Sequence, residues 1–183
     1  MMHEKSITDI SKKRYKKSFF RRSGEKQVLK IIKTKQISSF LFYTDVDNIL
    51  FTLEYGIVPV EQKKQLIKKE YSVWTYLEKE NSIGLEFDNS TRVNFWEWAK
   101  QAEVNVDQIA VIGIDPIKLS KYTTYDWTYD ANSKITYINE AISLEAIEWI
   151  LIKDKVNYER IKTFIEANDL EIRVFYGESG NII

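Results

Sequence analysis

Cysteine is absent from all 183 residues, and histidine occurs once, at His3. The first absence excludes disulfide frameworks, thiolate zinc sites, iron–sulfur clusters and cysteine nucleophiles. The second removes Ser-His-Asp triads and histidine metal sites from any folded core. Glycine (6) and proline (2) are scarce, so no flexible linker divides the chain, and no internal repeat is visible. Long apolar runs are lacking too. Ile109–Ile114, with Gly113 inside, is the longest, far short of the ~18 residues a membrane helix needs. The charged N-terminus has no apolar stretch behind it, so it does not read as a secretory signal. These absences together suggest a soluble, cytoplasmic protein with no membrane partner. Neither GxGxxG, GxxxxGK[ST], HExxH, GxSxG nor a calcium loop occurs. Asp126 and Asp130 are too few for a metal site, so no metal is expected. Catalysis, if any, falls to carboxylates, Arg, Lys, Tyr, Ser or Thr.

What is present points to a folded body. Hydrophobic residues make up 44% and aromatics 14%, enough to exclude a wholly disordered chain. The length suits one domain. Net charge is zero but uneven. Residues 1–35 carry twelve Lys and Arg against three acids, a net of +9, which leaves −9 for the remainder. This divides the chain into a basic arm over 1–35, helical or flexible, and a single domain over 36–183. Within the arm Lys12, Lys13, Arg14, Lys16, Lys17, Arg21 and Arg22 are interleaved with Tyr15, Phe19 and Phe20. Positive charge attracts phosphates and aromatic rings stack on unpaired bases, so these seven are the candidate nucleic-acid-binding residues. A solvated tail, an anionic membrane, an acidic partner, or folding back onto the acidic body are the other readings.

Periodicity suggests a half-exposed helix around Val28–Ile32 and a strand over Ser39–Tyr43. A helix over Asn48–Tyr55 would be capped by Asp45 or Asp47 and stopped by Gly56. Val60–Tyr71 and Phe95–Ala102 read as helices. Val73–Leu77, Ile83–Phe87, Ile109–Ile114, Thr123–Tyr129, Ile135–Ile138, Ile147–Ile152 and Ile172–Phe175 read as strands, with an amphipathic helix over Val156–Asn168. Strands outnumber helices without regular alternation, which favours α+β.

Two segments carry candidate chemistry. In Phe42-Tyr43-Thr44-Asp45-Val46-Asp47-Asn48-Ile49 a strand runs through a polar turn into a helix, which serves either an anionic ligand or ordinary Asx capping. In Leu144–Ile152, Glu148 interrupts a run that otherwise reads as a buried strand. That carboxylate faces solvent or a cleft, since unpaired burial is costly.

Both segments resemble the DarT-like ADP-ribosyltransferases of bacteria. That family has a motif of the type HITHIDNL followed by an apolar helix and a Gly, matched by Phe42–Ile49 and Gly56. Its later QAEFLV pattern, with a charged turn and V-P-W-E, is matched by Ala146–Leu151 and Val156. Phe42 and Asp45 stand where the family has His. The resemblance implies an ADP-ribosyltransferase-like fold, two mostly antiparallel sheets around a cleft with a few flanking helices. It implies NAD as substrate and transfer of ADP-ribose to single-stranded DNA. Members are often toxins, so an antitoxin or other protein partner is implied too. Carried across, Phe42, Tyr43, Thr44 and Asn48 lie on the NAD-binding side, with Asn48 holding the turn, and Glu148 is the catalytic carboxylate. Arg92, the only Arg between Arg22 and Arg160, is the candidate for the family's basic residue and the second catalytic candidate beside Glu148. The alternative is a non-catalytic relative that binds nucleic acid or protein through its arm.

Overall fold

The computed structural model describes residues 23–62, 78–79, 81–88 and 106–177. The chain is α+β. It runs α1 (Ser23–Lys35), β1 (Phe40–Asp45), a 3-10 turn (Val46–Asn48), α2 (Ile49–Tyr55), β2 (Glu78–Lys79) and β3 (Ser82–Phe87). A second 3-10 turn (Val106–Gln108) leads into β4 (Ile109–Ile114), α3 (Pro116–Tyr122), β5 (Thr128–Asp130) and β6 (Ile135–Ile138). A third (Leu144–Ala146) precedes β7 (Ile147–Ile152), α4 (Lys155–Ala167) and β8 (Arg173–Tyr176).

The strands lie in the order β5-β6-β3-β1-β4-β7-β8, with β2 also paired to β3. Every pairing is antiparallel except β7 with β8, whose parallel run requires the crossover that α4 provides. The sheet forks. β1 pairs with β4 along its whole length, from Phe40↔Ile114 to Asp45↔Ile109. It meets β3 only at Phe40↔Phe87 and Leu41↔Glu86. Farther along β3, the places beside Ile83 and Ser82 are taken by Glu78 and Lys79 of β2. The two sheets implied by the resemblance are thus two leaves of one sheet, β2-β3-β5-β6 and β1-β4-β7-β8, joined at two residue pairs.

Alternation assigns the faces. Phe40, Phe42, Leu85, Phe87, Ala110, Ile112, Ile114, Ile150 and Ile152 share one core with Val28 and Ile32 of α1, Ile49 and Leu53 of α2, and Ile161 and Ile165 of α4. Leu41, Tyr43, Ile109, Val111, Ile135, Trp149 and Leu151 form a second cluster on the other face. Near-continuous burial along β1, β4 and β7 follows, because both faces are covered.

Two expectations are corrected here. The strand expected over Thr123–Tyr129 is only Thr128–Asp130, because Thr123 instead ends α3. Its backbone N–H and its Oγ1 both donate to Leu119 O. And α3 was not expected. Pro116 closes β4 but also opens a helix, with Pro pre-set for the first turn and the Asp115 carboxylate accepting from Ile117 N and Lys118 N. The expectations for Val73–Leu77 and Phe95–Ala102, and most of Val60–Tyr71, lie outside the described residues. Among the described residues no helix is long and apolar enough to cross a membrane.

Candidate active site

β1 delivers its C-terminal end into the 3-10 turn, and the turn runs directly into α2. Ile49 N–H donates to Val46 O, so backbone rather than an Asx side chain starts the helix. The capping bonds expected of this segment are not made by Asp45 or Asn48. Asp47 is exposed and lies 3.8 Å from Arg160 Nη2. Asn48 Nδ2 donates to Thr44 Oγ1 at 3.3 Å, tying the turn back onto the strand. Both residues are fully buried, and Asn48 Oδ1 has no hydrogen-bond partner among the described residues. A buried amide oxygen without a donor is costly, and Asn48, 0% exposed, lies beneath the surface of the turn. Phe42 packs in the helix-side core, whereas Tyr43 packs on the opposite face.

The second segment forms β7 with a bulge. Ile114 pairs with Ile147 while Gly113 pairs with Trp149, so Glu148 is the extra residue. Regular alternation breaks there: Ile147 and Ile150 share the helix-side core, with Trp149 on the other face. A bulged residue leaves the ladder and is re-aimed, which is how Glu148 stays half-buried in a strand of buried neighbours. Asp115 N donates to Ala146 O at 2.8 Å just ahead of the bulge. Trp149 is anchored by its Nε1, 3.4 Å from the Ser39 hydroxyl.

The chain brings the two segments together through α2. Gly56 ends that helix at φ +81, and Ile57 exchanges backbone hydrogen bonds of 3.0 and 2.7 Å with Ile142. A side chain at Gly56 would overlap Ile142 O, so glycine is required by both backbone angle and space. Thr44 and Glu148 themselves are not adjacent. Thr44 is level with Ala110 and Ile152, whereas Glu148 lies beside Ile114, level with Phe40. That offset is about 13 Å along the strands and about 10 Å across them. Arg92 and the seven basic residues between Lys12 and Arg22 lie outside the described residues.

Sequence reasoning missed Glu86. It is half-buried, it is the last residue of β3 but one, and its Oε2 accepts from the Tyr43 hydroxyl at 2.8 Å. The signal was available: like Glu148, it is a carboxylate inside an apolar strand (Ile83-Gly84-Leu85-Glu86-Phe87). A groove between α4 and β8, lined by Tyr158, Lys162, Leu170, Ile172 and Val174, contains none of the residues singled out above. No cluster of three or more metal-ligating side chains exists among the described residues.

No protein-family model matches the sequence. No curated protein sequence matches it either. Solved structures do. The chain is similar to Thermosipho africanus DarTG in complex with ADP-ribose, at 13% identity and a TM-score of 0.50, over 78% of this chain and 50% of that one. It is similar to Thermus sp. 2.9 DarT in complex with NAD+, at 10% identity and 0.52, over 80% of this chain and 98% of that one. The carba-NAD+ complex of the same DarT matches at 9% identity and 0.52, over 80% and 99%. The chain thus spans half of the DarTG chain and nearly all of the DarT chain. At these identities the shared property is the fold alone, an α+β fold like that of the DarT structures.

Proposed function

We propose that this protein is an NAD-dependent ADP-ribosyltransferase acting on single-stranded nucleic acid, with DNA favoured. The observation that carries the reading is the forked sheet, whose likeness extends over nearly the whole of a DarT solved with NAD+ and carba-NAD+. Bulged, half-buried Glu148 supports it. The residues fit NAD in this way: the buried Asn48–Thr44 hydrogen bond holds the strand-to-helix turn from beneath, and Glu148 offers a half-buried carboxylate at the far end of the strands.

In the transfer, the bond between ribose C1 and the nicotinamide nitrogen breaks and nicotinamide leaves. C1 then bonds to a nucleophilic atom of the acceptor, whose proton is released to solvent water. Glu148 accepts a hydrogen bond from a hydroxyl of that ribose and stabilises the positive charge developing on the ring. Arg92 is proposed as a partner for the NAD phosphates. The seven basic residues of the arm are proposed to guide the polynucleotide, and the toxin role and antitoxin partner belong to the same reading. With labelled NAD and single-stranded oligonucleotides, wild type should transfer label, and Glu148→Gln should transfer at least about a hundredfold less. Its unfolding midpoint should not change. Undiminished transfer by Glu148→Gln overturns its role.

A second reading has one observation in its favour. Phe42, where the family has His, is buried in the apolar core. A protein that keeps the fold without NAD would bind nucleic acid or protein through the arm, and it would fail the same assay with every oligonucleotide.

A further inference from the structure

We propose that the hydrogen bond from the Tyr43 hydroxyl to Glu86 is a clasp across the fork, making both positioning residues for the ligand that the fork receives. The proposal rests on the NAD-binding reading of the fork for its functional half only. Backbone pairing between the leaves ends at Leu41↔Glu86. Past that point β1 keeps its ladder to β4, while the edge of β3 passes to β2. The described backbone ladder therefore leaves the opening between Phe42–Asp45 and Ser82–Leu85 unset. Tyr43 is the next residue after Leu41 on the same face, and its hydroxyl reaches back to the last paired residue of β3 at 2.8 Å.

The clasp is stiff at one end. The Tyr43 ring is 1% exposed, in a cluster with Leu41, Val111, Trp149 and Leu151 of its own leaf that reaches Ile135 of β6 across the fork. Its hydroxyl can thus transmit the position of that leaf to β3. A hydroxyl donating to a carboxylate is stronger than a neutral pair, which suits a joint that must hold an angle. Glu86 also lies in the same row across the sheet as Leu41, Gly113 and Trp149, one residue from Glu148. The clasp thus anchors at a row adjoining the proposed catalytic carboxylate.

The test uses the full chain carrying Tyr43→Phe, Glu86→Ala or Glu86→Gln. Amide hydrogen exchange should rise about tenfold at Phe42–Asp45 and Ser82–Leu85 in Tyr43→Phe and Glu86→Ala, the factor expected of one lost hydrogen bond. The β4–β7 amides should keep wild-type rates. Glu86→Gln retains an acceptor oxygen and should stay closer to wild type. If wild type turns over NAD, KM should rise about tenfold in the two disrupting variants, with kcat changed less. Unchanged exchange at the fork, or faster exchange spread equally over β4 and β7, overturns the clasp. Wild-type protein that binds no NAD defeats the functional reading instead, and the exchange result still decides the clasp.

Discussion

Trp149 occupies the space that a side chain at Gly113 would fill. The two residues face each other across β4 and β7, and a Cβ on Gly113 would overlap the indole ring. The register shift that frees Glu148 begins at this pair. An indole lying on bare backbone therefore fixes the bulge that carries the candidate catalytic carboxylate.

Gly113→Ala should accordingly damage both stability and activity. Overpacking costs about 1–3 kcal/mol, which at about 2–4 °C per kcal/mol lowers Tm by several degrees. The near-ultraviolet dichroism of the tryptophans should change, and transfer should fall because Glu148 is displaced. An unshifted Tm would show that Trp149 rotates away freely and that the bulge does not depend on it.

A second prediction concerns α1. The Asp126 carboxylate caps this helix from a hundred residues away, accepting Gly24 N at 3.0 Å and Glu25 N at 2.9 Å, with Trp127 N at 3.0 Å. Burial alone would raise its pKa. The amides of Glu25, Gly24 and Trp127 and the Ser23 hydroxyl outweigh that and hold it below the ordinary carboxylate range. A depressed folded-state pKa means the stabilisation is complete above the unfolded value and is lost as pH falls through the folded one. Asp126→Ala should cost about 1 kcal/mol at pH 7, as for a lost helix cap. The deficit measured by urea unfolding should shrink below about pH 4, the ordinary carboxylate value. A deficit that persists undiminished at low pH would rule out a charged cap.

Much of this was legible in the sequence. Ile109–Ile114 and Ile147–Ile152 are short apolar runs rich in branched side chains and became the central strands. The i, i+3, i+4 spacing of Ile161, Phe164 and Ile165 marked α4, and Gly56 marked the end of α2. The misses have physical causes. The tie between α1 and Asp126 joins residues a hundred positions apart, which no local pattern reports. The α3 helix was hidden because Pro116 both ends a strand and starts a helix. The expected strand over Thr123–Tyr129 failed because Trp127 is buried by its Nε1–Thr123 Oγ1 bond and its edge contact with Phe40, not by alternation. The candidate site was legible only in its residue types. Glu148 stood out as a carboxylate in an apolar run, but the bulge that exposes it comes from pairing with Gly113. Glu86 carried the same signal, yet only the fork gives it meaning.

The arm provides a third prediction. If it guides single-stranded nucleic acid, binding should weaken steeply with salt. Replacing Lys12, Lys13, Lys16 and Lys17 together by alanine should lower the slope of log K against log salt by about 3, from about 0.7 per charge on single strands. Fluorescence anisotropy with a labelled oligonucleotide over a salt series measures it. An unaltered slope would remove the arm from the interface.

The most direct test of the central claim is a calorimetric titration of the full chain with NAD. Wild type should bind in the micromolar range, and Glu148→Gln should still bind while failing to release nicotinamide. Absence of binding at millimolar NAD would contradict the account and leave a DarT-type fold without its substrate.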